Sequence, residues 1–210
     1  MKNRKKFGIW SFIMAAALCL SNCGRNETAG EETYLSAFLD PEALEGEGIF
    51  YGGMRLLDDR IHYLTDTGEG EEILCTYTLE DGSMDRTPLL WPEDGRPGPL
   101  GPHTFGQDGS LYGLCYGMDL DEGVILVKFD SRGEWAGSWE VTGQLLEENE
   151  GEHATFLEVD GQGRICLAGH RTLWLYGADG SYRGSLDLGG GMRVNAMGCG
   201  SDGRMYVSYS

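Results

Sequence analysis

This 210-residue chain lacks the apolar spacing of an amphipathic helix over any useful length, which argues against helical fold classes. It is also short of positive charge: 16 Lys and Arg residues stand against 34 Asp and Glu residues, for a formal net charge of −18. So acidic a domain is poorly suited to bind nucleic acid or an anionic membrane surface. It does not read as a disordered chain, because 40% of its residues are hydrophobic and 10% are aromatic.

Local signatures of catalysis and metal binding are missing as well. No Gly-x-Ser-x-Gly elbow occurs, and no Lys-Ser/Thr follows the glycines of LGGGMR at 188–193, as a phosphate loop requires. No histidine has a second His or a Cys at zinc-ligand spacing. The histidines are His62, His103, His153 and His170. The sequence therefore predicts no catalytic residue, no metal site and no cofactor, although a catalytic set assembled from distant residues stays open.

One acidic segment, MDLDEG at 118–123, places Asp119 and Asp121 two residues apart, as calcium loops do. The EF-hand pattern needs a third oxygen ligand at its fifth position and a glutamate at its twelfth, where Gly123 and Asp130 stand instead. A solvated turn is therefore the preferred interpretation of this segment.

Cysteines are few and widely spaced, and none forms a Cys-x-x-Cys pair. Apart from Cys19 and Cys23 near the N-terminus, the chain contains Cys75, Cys115, Cys166 and Cys199. Three of these four lie in or beside apolar, strand-like runs, where a free thiol behaves as a small hydrophobe. The pattern favours buried thiols over disulfides, although an even count outside the cytoplasm also permits bridges.

The N-terminus has the order of a secretory signal. MKNRKK carries four cations and no acid, and an uncharged apolar run at 7–20 follows at once. This run has 14 residues, fewer than the ~20 that span a bilayer, and it suits the core of a signal peptide.

The apolar run ends in LSNCG, and this order of charge, apolar run and cysteine resembles the bacterial lipoprotein signal. Asn22 stands where Gly or Ala is usual in that pattern. The resemblance covers residues 1–24 and implies a signal peptide at 1–22, lipid attachment at Cys23 and a location on the extracytoplasmic face of a bacterial cell membrane. An ordinary signal peptide, or an uncleaved anchor with an incidental cysteine, is the alternative.

Residues 23–47 are rich in Gly and Glu and predict a flexible acidic tether. If Cys23 begins the mature chain, the loss of four cations takes the formal charge from −18 to −22. Such a charge suits cationic or neutral partners.

From residue 48 onward the chain repeats itself. Turns rich in Asp and Gly precede short apolar strands in DDRIHYL at 58, QDGSLYGLCY at 107, DGQGRICLAG at 160 and SDGRMYVSY at 201. The first three strands are each followed by a second hairpin, in ILCTYTLEDGS, VILVKFDSRGEW and TLWLYGADGSY. Alignment of the turns makes equivalent the positions of His62, Tyr112, Cys166 and Tyr206.

Two hairpins per repeat resemble the four-stranded blades of a β-propeller, in general shape those of the YWTD, NHL and WD types. The resemblance implies an all-β fold of about three and a half blades, at about 48–100, 101–150, 151–190 and, incomplete, 191–210. A β-sandwich or an irregular solenoid is the alternative. Because a propeller needs about four blades to close, we expect an open or truncated propeller that belongs to a longer architecture or completes itself with a partner.

Connectors and aromatic residues complete the prediction. WPEDGRPGPLGPH at 91–103 reads as a rigid connector that cannot join a central ladder. LLEENEGEH at 145–153 reads as an acidic loop between repeats.

Most aromatic residues are expected to fill space between blades rather than to contact a ligand. These residues are Trp91, Trp135, Trp139, Trp174, Tyr116 and Tyr176.

Three functional hypotheses follow. The first is a membrane-anchored, non-enzymatic binding or sensing module for a small molecule, glycan or protein, with membrane lipid as its partner through Cys23. Its order of segments resembles the N-terminal region of large Gram-positive lipoproteins that continue into a solute-binding domain, which implies nutrient capture. The second is a propeller-type hydrolase or lyase, with Asp119, Asp121, Glu147 and Glu148 as metal ligands or as acid and base. The third is a truncated copy without function.

Overall fold

The computed structural model describes residues 49–66, 70–93, 95–117, 123–141, 154–189, 191–200 and 204–210. Within these ranges the chain is built of β-strands and turns, without a helix. The strands are β1 (Ile49–Leu57), β2 (Arg60–Asp66), β3 (Glu72–Thr78), β4 (Met84–Pro88), β5 (Leu100–Phe105), β6 (Leu111–Tyr116), β7 (Val124–Phe129), β8 (Trp135–Glu140), β9 (Phe156–Val159), β10 (Ile165–Ala168), β11 (Thr172–Tyr176), β12 (Tyr182–Asp187), β13 (Val194–Cys199) and β14 (Met205–Tyr209).

Neighbouring strands pair antiparallel in chain order. β1 to β4, β5 to β8 and β9 to β12 each form a four-stranded sheet, and β13 pairs with β14 in a two-stranded sheet. The first strands β1, β5, β9 and β13 lie side by side, each in contact with the next. A set of up-and-down sheets whose first strands adjoin is a β-propeller arrangement. The described residues thus form a partial β-propeller of three four-stranded blades and a two-stranded fourth, as the repeats predicted.

The predicted Asp and Gly turns connect the strands of the blades. In the turn between β5 and β6, the Asp108 carboxylate accepts a hydrogen bond from the Ser110 backbone N–H at 3.0 Å. Asp160 caps the turn between β9 and β10 in the same way, accepting from Gln162 and Arg164 at 2.9 Å. Gly109 has φ +77°, a conformation that side chains disfavour, which explains the glycine at this point of the repeat. Local sequence therefore determines where each hairpin reverses.

The core consists of three layers, one between each pair of successive blades. The layer between the first two blades includes Leu64, Leu74, Phe105, Val127 and Phe129. The layer between the second and third includes Leu114, Leu126, Leu157, Trp174 and Tyr176. A smaller layer between the third and fourth includes Cys166, Ala168 and Val194, with Met197 and Val207 against it. Because a middle blade packs on both faces, β6 and β10 are buried along nearly their whole length, which accounts for their continuous apolar sequence.

One predicted connector extends less far than its sequence indicated. The segment at 91–103 was expected to be a rigid connector that cannot join a central ladder, yet β5 begins at Leu100 and includes Pro102. The register of β5 against β6 shifts between Leu100 and His103, so the proline lies in an irregular part of the first strand of its sheet. A missing backbone N–H is tolerated at such a bulge in an edge strand. Residues 100–103 thus form an edge strand rather than part of the connector, and they join no central ladder.

The four cysteines of the repeat region are free thiols, and Cys75, Cys115 and Cys166 are buried. Burial raises the pKa of the Cys166 thiol to about 12 and that of Cys115 to about 12 as well. These thiols are therefore protonated at neutral pH and behave as small apolar side chains. Among the described residues, no helix has the length and hydropathy to cross a membrane.

Candidate functional site at the propeller axis

The candidate site is formed by residues at one equivalent position on the first strand of each blade. The second-strand residues that the sequence alignment makes equivalent are His62, Tyr112, Cys166 and Tyr206. Their cross-strand partners on the first strands are Arg55, Thr104, Glu158 and Gly198. We refer to these four partners as the axial position, because the first strands adjoin around the propeller axis. Three of the four are polar or charged.

The axial residues of the first three blades contact one another. Thr104 Oγ1 donates a hydrogen bond to Glu158 Oε2 at 3.3 Å, and Arg55 Nη1 lies 3.6 Å from the same oxygen. The side chains of Arg55 and Glu158 are 15% and 19% exposed, so this ion pair is largely withdrawn from water. An arginine, a hydroxyl and a carboxylate from three separate blades thus meet at one point.

Arg55 is held by backbone oxygens as well as by the carboxylate. Its Nη1 donates to the carbonyl of Phe105 at the end of β5 and lies 3.4 Å from the carbonyl of Val159 at the end of β9. The guanidinium presents five donors in a rigid plane, which suits several acceptors at once. Arg55 therefore links the first strands of the first, second and third blades.

Burial changes the protonation of the carboxyl at this site. Desolvation raises the pKa of Glu158 to about 7, and the Arg55 charge, the Thr104 hydroxyl and the Val159 backbone N–H offset only part of that rise. A carboxyl with a pKa near neutrality is half protonated at pH 7. It can therefore accept a proton or donate one under ordinary conditions.

His103 lies next to Thr104 on β5 and is 6% exposed. Its Nδ1 is 3.3 Å from the carbonyl of Gly101. Burial lowers the pKa of His103, and the Gly101 and Gly53 carbonyls counter this only in part. His103 is therefore a neutral, buried side chain beside the axial position.

The axial position of the fourth blade is occupied by Gly198. A Cβ built on Gly198 has no heavy atom of a described residue within 4 Å. Its φ lies outside the left-handed range, so a larger residue would fit the backbone there. Gly198 thus adds no side chain at the axial position of the fourth blade, and the space beside it is open.

Two polar clefts lie between blades, away from the axial position. The first has a volume of about 340 Å³, and Arg60, His62, Thr76, Asp85 and Arg132 are among the residues that line it. The second has a volume of about 310 Å³ and is lined by the turns after β5 and β9, with Lys128 and Tyr112. Arg132 is already paired with Asp130 and Glu134 on its own turn. The two clefts lie between successive pairs of blades and share the equivalent lining positions His62 and Tyr112.

The sequence analysis singled out one lipid-attachment residue and four candidate acidic residues. Cys23, Asp119, Asp121, Glu147 and Glu148 lie outside the described residues. Among the described residues, no three His, Cys, Asp or Glu side chains group as metal ligands would.

His62 packs between the first two blades, at the repeat position that Tyr112 and Cys166 occupy in the next two. Its ring lies 5.7 Å from that of Phe105, and its Nδ1 is 3.2 Å from Thr76 Oγ1. Burial lowers the pKa of His62, and the charge of Arg60 lowers it further.

The aromatic residues fill space, as predicted. Trp174 and Tyr176 are buried in the layer between the second and third blades, where Tyr116 and Trp139 pack against it. Trp91 packs edge-on against Phe129 at 4.8 Å between ring centroids. Trp91 and Trp135 both pack against the layer between the first two blades.

Sequence reasoning missed the axial residues altogether. They belong to no local motif, and each is a single polar residue in a first strand that the turn-based alignment did not reach. An alignment extended upstream by one strand would have made Arg55, Thr104, Glu158 and Gly198 equivalent. Three polar residues at one equivalent strand position would then have indicated a candidate site.

No family model and no curated protein matches this sequence. Solved structures of similar backbone include a gluconolactonase from Xanthomonas campestris, with 10% identity, a TM-score of 0.46 and coverage of 74% of this chain and 52% of that one. Virginiamycin B lyase from Staphylococcus aureus has 15% identity, a TM-score of 0.46 and coverage of 78% and 50%. The β-propeller domain of the Trilobed protease from Pyrococcus furiosus has 9% identity, a TM-score of 0.42 and coverage of 71% and 47%. The chain spans about half the length of these structures, and no residue role is carried over from them.

Proposed function

We propose that this protein is a membrane-tethered, extracytoplasmic propeller that binds a small polar ligand at the axial position. The observation that carries the proposal is the meeting of Arg55, Thr104 and Glu158 from three blades at one repeat position. Burying an arginine and a carboxylate is costly, and a merely structural propeller does not need such a pair at its axis. At the fourth blade the axial residue is Gly198, and the space where a side chain would stand is open.

A matched pair of variants tests the axial site. Gly198→Leu adds a side chain at the axial position of the fourth blade, whereas Ser208→Leu adds the same side chain to an exposed position of the neighbouring strand β14. In thermal-shift screens of small polar metabolites, we expect ligands that raise the Tm of the parent protein and of Ser208→Leu but not that of Gly198→Leu. If every stabilising ligand acts equally on all three proteins, the axial site is not where binding occurs.

The tether is the second part of the proposal. Acylation of Cys23 in the LSNCG segment would hold the chain at the membrane, because each buried CH₂ contributes ~0.8 kcal/mol and several chains together anchor firmly. Cys23→Ser is expected to release the protein from the membrane fraction and to abolish labelling by a fatty-acid analogue. Cys19→Ser, four residues upstream, is the control and should change neither result. Retention of the Cys23→Ser protein in membranes would overturn the tether.

A hydrolase or lyase is the second candidate, and the pKa of Glu158 favours it. A carboxyl with a pKa of about 7 is matched to general acid or base catalysis at neutral pH. Ligands found in the screen separate the two functions. Recovery of the ligand unchanged supports binding, whereas its consumption by the parent protein and not by Glu158→Gln supports catalysis.

A further inference from the structure

We propose that the outer side of the fourth blade docks a β-hairpin of another protein, which adds a strand to β14 and packs on the third blade. The docking surface consists of the free edge of β14, at Met205–Tyr209, and the side chains of Leu175 and Leu186. This docking is independent of the axial site and goes beyond the function proposed above.

The edge of β14 lacks the features that protect the outer strands of the complete blades. β14 pairs with β13 on one side, and no described strand lies on its other side. In the first blade, β4 carries Asp85 and Arg86 and ends at Pro88. In the next two blades, the registers of the outer strands β8 and β12 shift against their neighbours. β14 contains neither a charged residue nor a proline, so its edge is a ready template for a further strand.

Apolar side chains are exposed beside this edge, on the face of the third blade that meets the fourth. Leu175 and Leu186 are 45% and 54% exposed. They share this face with their cross-strand partners Cys166 and Leu173, which are buried in the layer between the third and fourth blades. The apolar face therefore continues outward from that layer, beyond the part that β13 and β14 cover.

The complete blades show what covers this place. Thr87 and Trp139 correspond to Leu186, because each lies on a fourth strand opposite the equivalent leucine of the third strand. Thr87 meets the turn of the β7–β8 hairpin, where a Cβ on Gly133 would lie 3.3 Å from the Thr87 Cγ2. Trp139 meets the turn of the β11–β12 hairpin, where its ring occupies the space of a Cβ on Gly180. The outer hairpin of the following blade thus covers this position, and the described residues supply no such hairpin for Leu186.

The same comparison defines the chemistry of the partner. The third strand of the second blade packs Val127 and Phe129 into the layer toward the first blade. The third strand of the third blade packs Trp174 and Tyr176 toward the second. Residues two apart share one face of a strand. The partner strand that pairs with β14 therefore carries two bulky apolar residues at this spacing, and its hairpin turn carries a glycine.

A second copy of this chain does not meet these requirements. Its own β14 could pair with the free edge, but Met205 and Val207 of that strand already pack against the third blade of the same chain. The face that would have to cover Leu175 and Leu186 is therefore occupied. A formal net charge of −18 on each chain also opposes self-association. The occupant is therefore a hairpin of a different protein.

The test uses a fluorescent peptide of residues 124–140, the β7–β8 hairpin of this chain, as a probe of that chemistry. Fluorescence anisotropy measures its binding to the full chain. We expect saturable binding, which the same peptide with Val127→Ser and Phe129→Ser should not show. Leu186→Asp in the full chain should weaken binding about tenfold or more. Leu90→Asp, at a leucine that is 56% exposed and lies outside the docking surface, should leave binding unchanged.

Amide hydrogen exchange identifies the strand that the peptide joins. Strand addition should slow exchange of the free-edge amides within Met205–Tyr209 about tenfold or more at saturation, because new main-chain hydrogen bonds protect them. The amides of β4, at Met84–Pro88, are the control and should not change.

Other occupants of the docking surface give different results. Slow exchange of the free-edge amides in the absence of peptide would mean that a segment of the same chain holds the edge. A dimer that Leu186→Asp dissociates and Leu90→Asp does not would mean that a second copy holds it. Either result would overturn the partner protein. An absence of saturable peptide binding, or binding that both variants weaken equally, would overturn the docking surface itself.

Discussion

Replacing Arg55 by methionine should lower the free energy of unfolding by about 3 kcal/mol or more at pH 8. The methionine fills a similar volume but leaves the carboxylate of Glu158 without its cation in a largely buried place. It also removes the hydrogen bonds to the carbonyls of Phe105 and Val159, by which the first blade holds the second and third. Hydrogen bonds from a charged donor contribute about 1.5–3 kcal/mol, so the loss extends beyond the ion pair.

Arg60→Met is the matched control for this prediction. Arg60 is 61% exposed and lies 3.9 Å from the exposed Asp59, so this surface pair contributes little and its loss should change stability by less than about 1 kcal/mol. Both variants are measured by urea unfolding at pH 8 and at pH 4. The cost of Arg55→Met should be smaller at pH 4, where Glu158 is protonated and needs no cation. Equal costs at both values would show that Arg55 acts through packing and its backbone hydrogen bonds rather than through the carboxylate.

A double-mutant cycle separates the two contributions further. If the unpaired carboxylate accounts for much of the cost, Arg55→Met should be far milder in a Glu158→Gln background at pH 8. Residues in direct contact typically couple by 0.5–3 kcal/mol. Additive costs of the two substitutions would mean that the backbone carbonyls, and not Glu158, are what Arg55 stabilises.

Much of the fold could be predicted because its determinants are local. The Asp and Gly residues of each turn fix the reversal of the chain, as Asp108 and Asp160 do through their hydrogen bonds to nearby backbone N–H groups. Apolar residues between the turns then identify the middle strands, which are buried on both faces. The first strands were harder to predict, since β5 includes a proline and a register shift that local rules assign to a connector.

The axial site could not be predicted by the same means. Its members stand in three different repeats, and each is an ordinary polar residue in its own segment. What makes them a site is the packing of first strands side by side, a tertiary property that brings Thr104 and Glu158 to 3.3 Å. The raised pKa of Glu158 likewise comes from burial by neighbouring blades, not from neighbouring residues in the chain.

The same burial links the axial site to the stability of the whole propeller. The contacts of Arg55 exist only while the first three blades are packed together, because Arg55 bonds to residues of the second and third blades. A ligand that engages Glu158 therefore stabilises the blades against separation as well as filling a site.

Glu158→Gln should remove a dependence of stability on pH that the parent protein shows between about pH 4.5 and pH 7. The folded state raises the pKa of Glu158 from an ordinary value of 4.5 to about 7, so between these values the folded chain binds a proton that the unfolded chain has released. Stability from this group is thus complete below pH 4.5 and is lost as the pH rises through 7. A shift of this size corresponds to about 3 kcal/mol.

The measurement is the difference in unfolding free energy between parent and Glu158→Gln at pH values from 4 to 8, so that the other carboxylates cancel. The variant should gain about 3 kcal/mol relative to the parent over this range, because its amide resembles the protonated carboxyl and does not ionise. Glu140→Gln, at an exposed position of β8, serves as the control substitution. A difference that stays constant from pH 4 to 8, or that changes in the opposite sense, would mean that Glu158 is ionised in the folded protein well below pH 7. The axial pair would then be a conventional salt bridge rather than a proton-exchanging site.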